Sequence, residues 1–385
     1  MKPFRIDVPQ DDLVDLRRRL ARVRWPLQVP DVGWERGVPA SYLRELVDYW
    51  QHEFDWRAAE SRINQIPQFT TEIDGTTLHF LHVRSAYPDA TPLLLTHGWP
   101  SSFVEFIDVI GPLTDPVAYG GEQADAFHVV IPSLPGYGFS GPPPGPGWGV
   151  ARIAAAWSEL MRRLGYQRYV PQGTDFGAMI TLALAALDAD RVSGAHVNFL
   201  ITPPPSDPQA MSILDPDDLR RLGRLSRFMA DESGYMKVQA TRPVTVSYGL
   251  ADSPVGQLAW IIEKFKEWTD TDKLPEDAIA RDWLLTNASI YWFTATAGTA
   301  AQLYFETADL LPLAASPPAP PPVAVPLGVA VFPADPARPI RSWAEQMFPT
   351  IAQWTEHDRG GHFPAVEEPD LVVADLRRFR HVLTG

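Results

Sequence analysis

Short apolar runs alternating with amphipathic stretches place the strongest constraint on this chain. Pro92–Thr96, Phe127–Ile131, Tyr169–Gln172, Gly194–Leu200, Val325–Phe332 and Thr350–Glu356 read as strands, the first two as short, mainly apolar runs. Val150–Leu164, Ala178–Leu187 and Pro369–Leu383 carry helical periodicity instead. Strands apolar on both sides must be covered on both sides. The alternation therefore predicts an α/β fold with a mostly parallel sheet and helices on both faces.

Two regions do not share this alternation. The first 69 residues carry two helical patterns, Asp11–Arg22 with Leu13, Leu16 and Leu20 in register, and Ala40–Phe54, and are predicted to form an N-terminal arm. Thr70–Ile73 and Thr77–Val83 then flank Asp74-Gly75, a hairpin signal. Residues 204–322 contain helical text without strand-like runs and end in the proline-rich Ser316–Pro322, a stiff return linker. Such a linker also fits an SH3 ligand, but an inserted lobe needs one anyway. The expected organisation is an arm (1–69), a core (70–203 and 323–385) and an inserted helical lid (204–322). A chain of 385 residues is long enough to need that second lobe, since single cores stop growing near ~250–300 residues.

Composition excludes several classes of function. A net charge of −14 and a pI of about 5.1 leave no basic surface for nucleic acid. The absence of cysteine removes disulfides, thiolate nucleophiles and cysteine metal sites, and fits a reducing compartment. No run approaches the ~20 apolar residues of a membrane span. The sequence is therefore expected to be cytoplasmic, without a membrane anchor, and is compatible with a homo-oligomer.

The strongest chemical signal is Gly173-Thr174-Asp175-Phe176-Gly177, between a strand and a helix. This is the layout of a nucleophile elbow, whose central residue is strained and whose flanking small residues permit the tight turn. Aspartate at the centre can attack an electrophilic sp3 carbon and form an ester. The plainer alternative is that Asp175 caps the following helix. Asp175-Phe176-Gly177 also spells a kinase motif, and Gly136-Tyr137-Gly138-Phe139-Ser140-Gly141 a dinucleotide motif. The first lacks its catalytic loop, and Pro142-Pro143-Pro144 follows the second where a helix should open.

Upstream, His97-Gly98-Trp99-Pro100 ends an apolar strand where this layout needs backbone N–H groups for an oxyanion, so the Trp99 and Phe176 amides are candidates. His97, Gly98 and Pro100 are expected to contact substrate. His362 lies on a glycine loop, Arg359-Gly360-Gly361-His362-Phe363, after the last strand, and Asp335 follows an earlier one. His357 is close enough to His362 to suggest a metal pair, but no accompanying carboxylate cluster or HExxH motif is present. Asp175, Asp335 and His362 follow the nucleophile–acid–histidine chain order of the α/β-hydrolase fold.

With these residues in place, the sequence resembles the epoxide hydrolases of the microsomal and juvenile-hormone type along essentially its whole length. The resemblance is carried by Arg24-Trp25-Pro26, His97-Gly98-Trp99-Pro100, Thr241-Arg242-Pro243, Asp252-Ser253-Pro254, Glu263-Lys264-Phe265, Tyr291-Trp292 and Arg359-Gly360-Gly361-His362-Phe363. Thr174 and Phe176 depart from the family's usual Gly-Gly-Asp-Trp-Gly elbow. The resemblance implies a small-molecule epoxide substrate, no cofactor or metal, and two lid tyrosines, mapped onto Tyr235 and Tyr304, that bind the epoxide oxygen. The residues alone do not choose these two over Tyr248 or Tyr291. Other uses of such a chain are a haloalkane dehalogenase or a non-catalytic binding protein of the same fold.

Overall fold

The computed structural model describes all 385 residues except 28, 31, 206–210, 213 and 313–321. The proline-rich linker Ser316–Pro322 lies outside the described residues except for its last proline. No helix among the described residues is long and apolar enough to cross a membrane.

A nine-stranded sheet organises the chain. Its strands are β1 (Lys2–Phe4), β2 (Gln68–Ile73), β3 (Thr76–Val83), β4 (Thr91–Thr96), β5 (Phe127–Pro132), β6 (Val170–Gly173), β7 (Ala195–Val197), β8 (Leu327–Val331) and β9 (Ile351–Glu356). They lie in the order β1-β2-β3-β5-β4-β6-β7-β8-β9. The pairings β1–β2, β2–β3 and β3–β5 are antiparallel, and those from β5 across to β9 are parallel. The central parallel strands are the most deeply buried: Leu93, Leu94 and Leu95 are fully enclosed, and every residue of β5 and β8 is buried. Helices Val150–Arg163 and Phe176–Leu187 pack together against the sheet, as do Ile107–Thr114 and Pro369–Thr384. A buried hydrogen bond between His196 Nε2 and Asp375 Oδ2, 2.7 Å long, ties β7 to the last of these helices. Between β2 and β3, Asp74 (φ 50°) and Gly75 (φ 78°) form the two-residue turn expected of that dipeptide.

The arm departs from the purely helical reading. Lys2–Phe4 pair with Thr70, Phe69 and Gln68 and extend the sheet by one edge strand. Three residues are too few to show a period, and Pro3 is tolerated because the strand lies at the edge. The expected helices appear as Gln10–Leu20 and Ala40–His52, with a third, Trp56–Ile63, whose N-cap Asp55 accepts from the Ala58 amide. The arm braces the segment between β7 and β8: Trp50 donates to Ser289 Oγ at 3.0 Å, and the Trp56 ring lies 4.9 Å from that of Phe293. That segment is helical throughout its regular structure among the described residues. Three of its helices, Pro216–Arg227, Pro243–Asp252 and Pro254–Trp268, open on proline, where the missing N–H costs no hydrogen bond.

Candidate active site

The strand-to-helix turn after β6 holds Asp175 at φ 51°, ψ −127°, a conformation that non-glycine residues seldom adopt. Its side chain makes no capping bond to the helix it precedes, which removes the capping explanation. Instead Oδ1 accepts from the Trp99 amide at 2.9 Å. The neighbouring glycines are required by space. A Cβ at Gly173 would fall 2.0 Å from the Gly177 carbonyl oxygen, and one at Gly177 would fall 1.9 Å from that of Thr96. A Cβ at Gly98 would reach 2.1 Å from Asp175 Oδ1 itself.

His362 and Asp335 meet this carboxylate from loops after β9 and β8. His362 Nδ1 lies 2.9 Å from Asp335 Oδ2, and Nε2 lies 3.4 Å from Asp175 Oδ2 without hydrogen-bond alignment. The His362 amide donates to Trp268 O at 2.8 Å, and Thr174 Oγ1 donates to the His362 carbonyl at 3.2 Å. Thr174, a departure from the family text, thus links the elbow to the histidine loop. Burial works against the His362 charge, but Asp335 and Asp175 together outweigh it and raise its pKa to about 10. Ester formation on Asp175 would remove one of those two carboxylates and make the imidazole easier to deprotonate.

Glu105 escaped the sequence reading. It is buried on the short 3-10 helix Phe103–Phe106, and neither carboxyl oxygen makes a hydrogen bond of good geometry, although the Ser101 hydroxyl is close by. Burial lifts its pKa to about 8, with the Ser101 hydroxyl and the His362 charge drawing it back, so at neutral pH it holds a proton. The available signal was one acidic residue inside the apolar run Phe103-Val104-Glu105-Phe106-Ile107.

Asp175, Phe176, Tyr235, Tyr304 and His362 line one cavity of roughly 570 Å³, counted with its opening to solvent. Its remaining wall is apolar, with Met179, Phe199, Leu225, Phe228 and Trp268 among the contributors. The four tyrosines left open by the sequence now separate. Tyr291 donates to the Ser101 carbonyl at 2.7 Å and Tyr248 is 75% exposed, whereas Tyr235 and Tyr304 face the cavity and interact with each other. Burial, reinforced by the Asp175 charge, raises Tyr235 well above the usual phenol range; for Tyr304 burial, Tyr235 and Asp175 act alike. Trp99 stacks on the Tyr235 ring at 5.0 Å, and its Trp99–Pro100 peptide is cis.

His97, Gly98 and Pro100 do not line the cavity, contrary to expectation. The His97 ring is buried, with Nδ1 3.0 Å from the Gly98 carbonyl and Nε2 accepting from the Leu134 amide at 3.3 Å. Burial lowers its pKa to about 4. The Pro100 carbonyl accepts from Asn287 at 2.8 Å, and Gly98 makes room for Asp175. These residues flank Trp99 in sequence without lining the cavity themselves.

The sheet order, the strained elbow and the histidine–carboxylate pair at the strand ends define an α/β hydrolase. Residues 91–228 match the alpha/beta hydrolase fold family, and residues 1–106 match the family described as epoxide hydrolase N terminus. A putative epoxide hydrolase of Stigmatella aurantiaca is 48% identical, over 97% of this chain and 83% of that protein. The Aspergillus niger epoxide hydrolase structure superposes with a TM-score of 0.89 at 32% identity, covering 99% of this chain and 96% of that one. The juvenile hormone epoxide hydrolase of the silkworm Bombyx mori gives a TM-score of 0.89 at 31% identity, covering 100% and 95%. The chain belongs to the epoxide hydrolase family.

Proposed function

We propose that this enzyme converts an apolar epoxide and water into a vicinal diol through a covalent ester on Asp175. One observation carries the reading: a carboxylate in strained backbone geometry faces an apolar cavity together with two phenols. Oδ1 is held by the Trp99 amide, so Oδ2 is the oxygen that attacks a ring carbon. The carbon–oxygen bond of the epoxide breaks as Tyr235 and Tyr304 donate to the departing oxygen. An ordinary phenol is a far stronger acid than the alcohol formed, which suits a tyrosine to protonate the departing oxygen.

In the second step His362 takes a proton from water, which attacks the ester carbonyl carbon. The resulting oxyanion develops on Oδ1, where the Trp99 amide already points and the Phe176 amide is the second proposed donor; one such donor contributes ~3–4 kcal/mol in comparable sites. Its collapse breaks the bond from the Asp175 carbonyl carbon to the substrate oxygen, which leaves as the diol with the proton held by His362, and the proton of the new carboxylic acid restores the tyrosine phenol. Asp335 orients His362 and stabilises its cation. No step calls for a metal or a cofactor. The organisation that accompanies this reading is an arm (1–69), a core (70–203 and 323–385) and a lid (204–322).

A single turnover in 18O-labelled water tests it. The first diol should carry unlabelled oxygen from Asp175, with the label entering the enzyme. Full labelling of that first diol would mean direct attack by water and would end the covalent reading. Running an alkyl halide beside the epoxide separates the dehalogenase alternative by its halide release.

A further inference from the structure

The phenol that opens the ring is buried among acidic groups. Asp175, Glu267 and Glu232 all oppose a negative charge on Tyr235, and burial opposes it more. Glu232 is itself paired with Arg224 at 2.9 Å. Against this stands Lys264, on helix Pro254–Trp268, buried to 2% exposure. Its Nζ lies 4.8 Å from the centre of the Tyr235 ring and 5.7 Å from that of Trp268. Glu263 and Glu267 hold it there at 2.6 and 2.7 Å, and both carboxylates reach partly into solvent. Burying an ammonium group is costly unless it is paired, and it is worth most where a neighbour gains negative charge.

We infer that Lys264 is a positioning residue for ring opening, a fixed cation whose attraction to the Tyr235 ring strengthens as that phenol gives its proton to the epoxide oxygen. The inference rests on the epoxide-opening role proposed for Tyr235. As Asp175 Oδ2 bonds to carbon and the epoxide carbon–oxygen bond breaks, the proton passes from Tyr235 to the departing oxygen. Negative charge thereby moves from Asp175 to the phenolate. A cation over an aromatic face is attracted by its electron density, and a phenolate ring carries more of it than a phenol. Lys264 therefore favours the product side of the proton transfer more than the ground state, which is the condition for accelerating a step. Ester hydrolysis, driven by His362, puts no new negative charge on the Tyr235 ring and gains nothing comparable.

The test is a double-mutant cycle read on the two steps separately, with styrene oxide, rapid quench and mass measurement of the Asp175 ester. Lys264→Met should slow ester formation about tenfold and leave ester hydrolysis within about twofold. Lys264→Arg should recover ester formation to within about threefold, since the charge is kept. In a Tyr235→Phe background, Lys264→Met should change ester formation by less than about twofold, because the ring then develops no charge. Equal slowing in both backgrounds, or of both steps, would reduce Lys264 to a packing residue and overturn the inference. If Tyr235→Phe alone leaves ester formation at the wild-type rate, the Tyr235 assignment itself has failed, which is a separate outcome. Should Lys264→Met not fold, Glu267→Gln reads the same field: it removes an opposing carboxylate while Glu263 still holds the ammonium, so ester formation should be as fast or faster. A slower reaction there counts against the inference.

Discussion

Two parts of the molecule meet in the cavity and are held by different means. Asp175, Asp335 and His362 project from loops just past β6, β8 and β9, where the sheet register and close backbone contacts leave almost no freedom. Tyr235 and Tyr304 lie on helices of the segment between β7 and β8, which packs against the N-terminal arm through Trp50 and Trp56 and is tied to the sheet at its edges, as by Arg221 to Glu356 of β9 at 2.7 Å. In the proposed reaction the sheet side supplies the charges that make and break the ester, and the helical side supplies an apolar wall and two weak acids. The contrast implies that changes on the sheet side abolish chemistry outright, while changes on the helical side scale the first step.

The largest effect should come from Asp175→Asn, which keeps shape but removes the nucleophile: turnover should fall by ~10⁴-fold or more with the melting temperature nearly unchanged. A drop of tenfold or less, measured as diol formation, would contradict a sheet-side nucleophile. On the helical side, Tyr235→Phe and Tyr304→Phe should each slow ester formation by roughly 10- to 100-fold and together by more. Wild-type rates of ester formation in both single mutants would move the proton donor elsewhere.

The pH response sharpens the comparison further. His362 is raised from 6.5 to about 10 in the folded enzyme, so its contribution to stability is complete below about 6.5 and is lost as pH rises through about 10. Glu105 is raised from 4.5 to about 8, so it acts in the same direction, with stability lost between those values. Melting temperatures taken from pH 6 to 10 should fall more steeply for the wild type than for Glu105→Gln; identical slopes would remove Glu105 from this account. The smallest effect should be Trp50→Phe, which loses the hydrogen bond from arm to helix and should cost about 1 kcal/mol of stability. It should alter ester formation more than ester hydrolysis, and equal changes in the two rates would mean the arm does not act through the helical side.

What the sequence reveals follows the same divide. The elbow could be read because a strand, a tight turn with small residues and a helix are all local, and Asp335 and His362 follow from chain order. Tyr235 and Tyr304 could be named only through the resemblance, since which helical tyrosine faces the cavity depends on how the helices pack. β1 was invisible because three residues carry no period, and Glu105 because its significance lies in its burial. His97, Gly98 and Pro100 were recognised as important yet misplaced: Gly98 matters for the side chain it lacks, and His97 for the two backbone groups it engages.

The most direct test of the covalent account uses the residue that separates its two steps. His362→Gln should still react once with an epoxide and then stall, because opening the ring needs the carboxylate and the phenols, whereas clearing the ester needs a base. Brief exposure to styrene oxide followed by peptide mass spectrometry should find the adduct on the peptide containing Asp175. An unmodified His362→Gln protein that also forms no diol would contradict the division of labour between the two steps.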